Sequence, residues 1–274
     1  MSSIKRSDLK YNFLKNIIIR VDVQGVFEPE MEELLTKIKS YLKDKGFSRY
    51  GRKQENKIEI NVAGNESHPT TLKKVKNYDI HSFANDDAGY VLDVSSRFIC
   101  LNVNSTCYLP FEHYSSIVLG IVKIYSENID FFSTTRIGLR KINICMVKNK
   151  NSISKYFAPT YFGHFNTINK RDILFSNRQD VFHISNNKVN LNYKIEKGHN
   201  GEELLYKITL DTDIYVDDAS EISKIADYSK KFDEMNDLIF DIYIESLTNE
   251  FQRVLLGETE PFFDDLIGVE QNEQ

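Results

Sequence analysis

Apolar and polar residues alternate from Ile17 to Val23, with Ile17, Ile19, Val21 and Val23 on one side and Arg20 and Asp22 on the other. A period of two over a β-prone run predicts a strand buried on one face. Gly25 ends it. The period then lengthens: Met31, Leu34, Leu35, Ile38, Tyr41 and Leu42 recur at three- and four-residue spacing, behind Pro29 and ahead of Gly46. Proline in a first turn and glycine just past the last apolar residue bracket a helix. Its apolar stripe is a packing surface, each side chain contributing about 1.5–3 kcal/mol when fully buried.

The same reading continues downstream. Residues 1–15 read as a polar arm. Lys57–Val62 alternates as a strand, and a polar loop follows through His68 and Pro69. Tyr90–Val94 and Arg97–Val103 flank Ser95-Ser96, which predicts a hairpin. Pro110 opens a second helix with Phe111, Tyr114, Ile117, Val118, Ile121 and Tyr125 on its stripe. Phe131–Val147 is the longest strand-like run, and Lys148–Lys155 reads as a polar link. Val181–Ile184, Val189–Ile195 and Leu204–Tyr215 predict antiparallel strands joined at Asn186-Asn187 and Gly198–Gly201. One long helix is expected from Ser220 to Leu256.

Grouped strands, hairpin turns and few helices predict an α+β fold, with antiparallel sheets and helices packed on one face. Residues 1–150 and 151–257 read as two halves of similar strands-then-helix order, followed by an acidic tail at 258–274. The tail is expected to be a solvated, mobile end, with docking of a partner through Pro261-Phe262-Phe263 and Leu266-Ile267 as the alternative.

Composition sharpens the picture in three ways. At 41% apolar and 27% charged, the chain has ample material for a core. The net charge of −5 is concentrated in the tail: Glu258, Glu260, Asp264, Asp265, Glu270 and Glu273 have no Lys or Arg among them, and without these six acids residues 1–257 stand at +1. A near-neutral body lacks the basic stripe that tracks phosphate backbones. Three cysteines (Cys100, Cys107 and Cys145) without C-x-x-C spacing read as buried thiols in a reducing compartment. With no signal-peptide core and only short apolar runs, a cytoplasmic protein with no membrane association is expected.

The search for chemistry mostly excludes. The glycines form neither G-x-G-x-x-G nor a Walker-type loop, and G-x-S-x-G is absent. The six histidines make no H-x-H or H-x-x-x-H pair, so no cofactor or metal set is implied. Asp211 and Asp213 lie two apart in a strand and so share a face. Paired carboxylates of this kind hold Mg²⁺ in nucleases, whereas the structural reading is a solvated strand end leading to Asp217-Asp218.

The run Arg136–Asn143 stands apart. Arg136, Gly138 and Arg140 fall on one side of the strand, with Ile137, Leu139 and Lys141 on the other. A glycine within a strand marks a bulge or a close approach by another backbone, and Gly138 is expected to mark a bulge. Arg136, Arg140, Lys141 and Asn143 form the candidate binding surface.

Arg136-Ile137-Gly138-Leu139-Arg140-Lys141-Ile142-Asn143 resembles the R-(I/V)-G-L-R-Y-I-N signature of a sporadically distributed bacterial family of about this length that has no assigned activity. Leu210–Tyr215 is similar to that family's late L-D-I-D-V-Y strand. Phe232–Phe240, leading to Ser246-Leu247-Thr248, is similar to its closing helix and S-L-T element. Lys141 and Asn236 stand where those motifs carry Tyr and His. The family's patchy distribution implies a role in defence or toxin–antitoxin-like systems, and the absence of a catalytic constellation points to a non-enzymatic binding or assembly subunit. Its expected partner is a protein encoded nearby, or a second copy in a homodimer. A nucleic-acid or nucleotide sensor using Arg136, Arg140, Lys141, Phe131 and Phe132 is the alternative, and a metal-dependent nuclease using Asp211 and Asp213 is the second.

Overall fold

The Ile17–Val23 alternation lies near the centre of one ten-stranded antiparallel sheet. In this computed structural model, residues 4–63, 70–104, 109–163, 174–201, 203–259 and 265–271 are described. The strands are β1 (Tyr11–Asn12), β2 (Leu14–Gln24), β3 (Arg49–Ala63), β4 (Thr70–Asn85), β5 (Tyr90–Val94), β6 (Phe98–Val103), β7 (Ser133–Val147), β8 (Phe175–Ile184), β9 (Asn187–Asn200), β10 (Glu203–Val216), β11 (Leu266–Ile267) and β12 (Glu270–Gln271). The helices are α1 (Glu28–Asp44), α2 (Phe111–Asn128), α3 (Lys150–Tyr156), α4 (Pro159–Phe162), α5 (Ala219–Ile222), α6 (Tyr228–Glu245) and α7 (Asn249–Leu255).

Sheet order is β3-β4-β5-β6-β2-β7-β10-β9-β8, with β11 added beside β7. The two halves of the chain repeat one plan. In the first, β2 leads through α1 into a meander whose last strand, β6, returns beside β2. In the second, β7 leads through α3 and α4 into a meander whose last strand, β10, returns beside β7. The β2–β7 ladder joins the halves edge to edge into one sheet.

Burial follows the period. Ile17, Ile19, Val21 and Val23 on β2, Ile137 and Leu139 on β7, and Ile208, Leu210 and Ile214 on β10 are all buried on the helix-bearing side. Met31, Leu34, Leu35, Ile38 and Leu42 of α1 face the same core, as do Phe232, Met235, Ile239, Ile242 and Tyr243 of α6. Tyr125 of α2 donates its phenol to the Ser95 carbonyl, tying the second helix to the β5–β6 turn. In that turn Ser95 Oγ accepts from the amides of Arg97 and Phe98, as a hairpin at this dipeptide requires.

Several expectations are corrected. The supposed polar arm is docked: Leu9 and Phe13 are buried, and Phe13 stacks on Phe251 at 5.4 Å. The stretch after Pro69, to which no element was assigned, is the long strand β4, whose lysine-rich start disguises the alternation; the loop expected through His68 and Pro69 lies outside the described residues. The link at 148–155 contains α3, capped by the Asn149 side chain. The long C-terminal helix is three helices. Asp227 and Thr248 cap α6 and α7, because short side-chain acceptors satisfy the free amides of a new first turn better than they sustain a helix interior.

The acidic segment is not wholly a solvated end. Leu266 is 2% exposed and pairs with Val147, in the position beside β7 that β2 has vacated. Glu270 forms an ion pair with Lys15, and β12 pairs with β1. Apolar Leu266 and Ile267 gain more from a strand edge than from water. Pro261, Phe262 and Phe263 lie outside the described residues.

Candidate functional site

The four predicted residues divide between the two faces of β7. Arg136 and Arg140 project onto the face that carries no described helix. Lys141 and Asn143 project into the helix-covered side, where they line a cleft. A period of two forces this separation, since positions 140 and 141 point opposite ways.

On the open face, Arg140 makes a two-pronged pair with Asp211, Nε to Oδ1 at 2.7 Å and Nη2 to Oδ2 at 2.6 Å. Arg136 reaches along its own strand to Asp213, 3.1 Å from Nη2 to Oδ2, and its guanidinium lies 4.5 Å from the Tyr215 ring centre. Arg20 pairs with Asp22 at 2.6 Å. Gly138 clears the path of Arg136. A Cβ there would stand 3.1 Å from Tyr215 Cβ and 3.2 Å from Arg136 Cζ, both tighter than ordinary contact. The bulge expected at Gly138 is not there, because Arg20 pairs with Gly138 in unbroken register, and the atoms crowding Gly138 belong to side chains and not to another backbone. The irregularities flanking it fall at Lys15 and Thr135.

Arg20, Asp22, Arg136, Gly138, Arg140 and Asp213, with Cys100, Asn102 and Ile18, line a shallow groove of about 480 Å³. Burial holds Asp213 above the usual carboxylate range, with Arg136 and Arg140 pulling the other way. The hydrogen bond from Arg140 to Asp211 strengthens the guanidinium's hold on its proton. Asp211 and Asp213 therefore each have an arginine as partner. Among the described residues no group of three acidic, histidine or cysteine side chains is arranged to hold a metal ion. Burial pushes the Cys100 thiol up to about 11, and Cys145 is fully buried and shifted the same way; Cys107 lies outside the described residues.

The cleft on the other side has a volume of about 260 Å³. It is bounded by the N-terminal segment (Arg6, Leu9), the start of α2 (Phe111), β7 (Lys141, Asn143) and α6 (Asn236, Phe240). Lys141 Nζ donates to Asn236 Oδ1 at 2.5 Å and lies 5.6 Å from the Phe111 ring centre. Arg6 donates to the Asn236 carbonyl and pairs with Asp237 at 2.7 Å. Desolvation, reinforced by the nearby Arg6, pushes the Lys141 ammonium down to about 7, and Asp237 offsets this in part. Asn143 is 4% exposed, and its carboxamide has no hydrogen-bond partner among the described residues.

Sequence reading singled out Lys141 and Asn143 but missed the groups that complete the cleft. Arg6 belonged to a segment read as a free arm, and Phe111 and Phe240 read as helix packing. Asn236 carried the one available signal, as a polar residue on the apolar stripe of its helix between Phe232 and Ile239. Compared with models of known protein families and with curated proteins, the chain matches none. No helix among the described residues is long and apolar enough to cross a membrane.

Proposed function

We propose that the chain is a non-enzymatic binding subunit that docks a protein partner on the open face of its sheet. The supporting observation is the matched ion-pair array of Arg136–Asp213, Arg140–Asp211 and Arg20–Asp22, on a sheet face that no described helix covers. Arginines already neutralised within the chain favour a protein over a phosphate backbone, which draws its affinity from unpaired cations. Carboxylates engaged by guanidinium groups are poor ligands for Mg²⁺. Half-buried Ile18, Ile142, Ile144 and Met146 share this face and give it the mixed apolar and polar character of a transient interface. A defence-associated assembly with a protein encoded nearby is the setting that the motif resemblance implies.

The test is co-expression with the products of adjacent genes, followed by hydrogen-exchange mapping of any complex. The expected result is protection of β2, β7 and β10, and loss of the complex in the Arg136→Ala, Arg140→Ala double variant. A chain that binds none of those products but turns over a substrate overturns the proposal.

A further inference from the structure

A cation in an apolar cleft needs a counter-charge. Taking an ammonium out of water is costly unless an anion or a full set of hydrogen-bond acceptors replaces the water. Lys141 has one side-chain acceptor, Asn236 Oδ1, and an aromatic face from Phe111. No Asp or Glu lines the cleft among the described residues. The described acid that bears on Lys141, Asp237, is already engaged by Arg6. One cation is thus left uncompensated, beside the Asn143 carboxamide, which lines the cleft and makes no side-chain hydrogen bond to another described residue. The two groups have complementary chemistry and face the same space.

Apart from Arg6, Asn12 and the phenol of Tyr243, the rest of the lining is apolar, including Leu9, Leu14, Ile17, Ile239 and Phe240, with exposed Leu109 at the rim. A cleft of about 260 Å³ with one unmet positive charge does not suit a multiply charged phosphate. A body that fills the apolar part and a single anionic head that meets Lys141 and Asn143 suit it better. We propose that this cleft is a binding site for a small monocarboxylic acid with an apolar body. The carboxylate accepts from Lys141 Nζ and from the Asn143 carboxamide, and the hydrocarbon part lies between the N-terminal segment and α6. The site is independent of the open face, since it lies on the other side of the sheet.

The experiment is calorimetric titration of the full chain with hexanoate and phenylacetate. Hexanamide and hexylamine serve as size-matched controls, and inorganic phosphate as the anion control. The expected result is saturable binding of one or both acids, with hexanamide and hexylamine at least about tenfold weaker, equivalent to roughly 1.4 kcal/mol. Lys141→Met is expected to abolish the preference for the acid over the amide. Lys141→Gln, which keeps a polar head, serves as the second variant, and each is checked for native circular dichroism before titration. Equal affinity for hexanoate and hexanamide overturns the proposal. So does the absence of binding by either acid to folded protein, tighter binding of phosphate than of either acid, or an acid preference that survives in both variants.

Discussion

Lys141 Nζ and Asn236 Oδ1 lie 2.5 Å apart, joining the centre of β7 to the middle of α6. A long donor opposite a short acceptor spans the gap between sheet and helix, and it places a cation in the cleft between them.

That cation has a pH signature. Desolvation and Arg6 lower its proton affinity in the fold, whereas the unfolded lysine titrates near the ordinary value of about 10.4. The groups bearing on it are Arg6 on the N-terminal segment and Asp237 on α6. Between about pH 7 and 10.5 the unfolded chain holds more protons at this site, so stability rises with pH across that window. Lys141→Met is therefore expected to melt a few degrees above the parent at pH 6, with the gap narrowing as pH rises toward 10. Calorimetric scans from pH 6 to 10 on both proteins provide the check. A gap that stays constant with pH places the effect in packing and not in charge.

Gly138 and Arg136 are predicted to be energetically coupled. Gly138→Ala sets a methyl against the guanidinium that crosses it, and should cost about 1–3 kcal/mol as an overpacked site. In an Arg136→Ala background the cost should fall by about half, leaving only the contact with Tyr215 Cβ. A denaturant-unfolding cycle measures this. Additive single effects would mean that Arg136 moves aside freely.

The Arg140–Asp211 pair is bidentate, and Asp211 is the more enclosed partner, with a side chain 12% exposed. A double-mutant cycle using Arg140→Ala and Asp211→Ala is expected to give a coupling of about 1 kcal/mol, at the upper end for accessible pairs. That coupling should be halved or more at 1 M salt, where screening acts over about 3 Å. A coupling insensitive to salt would show that the groove stays closed to solvent ions.

Leu266→Ala should destabilise the fold by about 2–5 kcal/mol, as expected for a buried leucine, although it lies in a segment whose charge pattern reads as a solvated tail. Urea unfolding of the variant measures this directly. A loss below about 0.5 kcal/mol would return the segment to the surface.

That contrast shows what was legible in the sequence. β2, α1, α2 and the β5–β6 hairpin were readable because each carries a clean period of two or of three to four, with turn residues at its ends. β4 was not, because its lysine-rich first half hides the alternation, and its place in the sheet depends on pairing with β3. Leu266 and Phe13 were missed for a related reason: short apolar runs amid charge look unstructured until a distant partner is known, here Val147 and Phe251 respectively. Of the candidate surface, spacing alone assigned Arg136 and Arg140 to one side and Lys141 to the other. The aspartate partners of the arginines, and the convergence of Arg6, Phe111 and Asn236 on Lys141, arise from contacts between elements far apart along the chain. Local pattern does not encode those contacts.

The pairing of Tyr11 with Gln271 and Asn12 with Glu270 bears on how the protein is made. β1 is made before β2 to β10, and its strand partner β12 after them. Until residues 266–267 follow, the end of β7 lacks its β11 neighbour, and until residue 251 follows the Phe13 ring lacks Phe251. A nascent chain therefore carries an open edge and an unfilled aromatic cluster while the intervening strands are made.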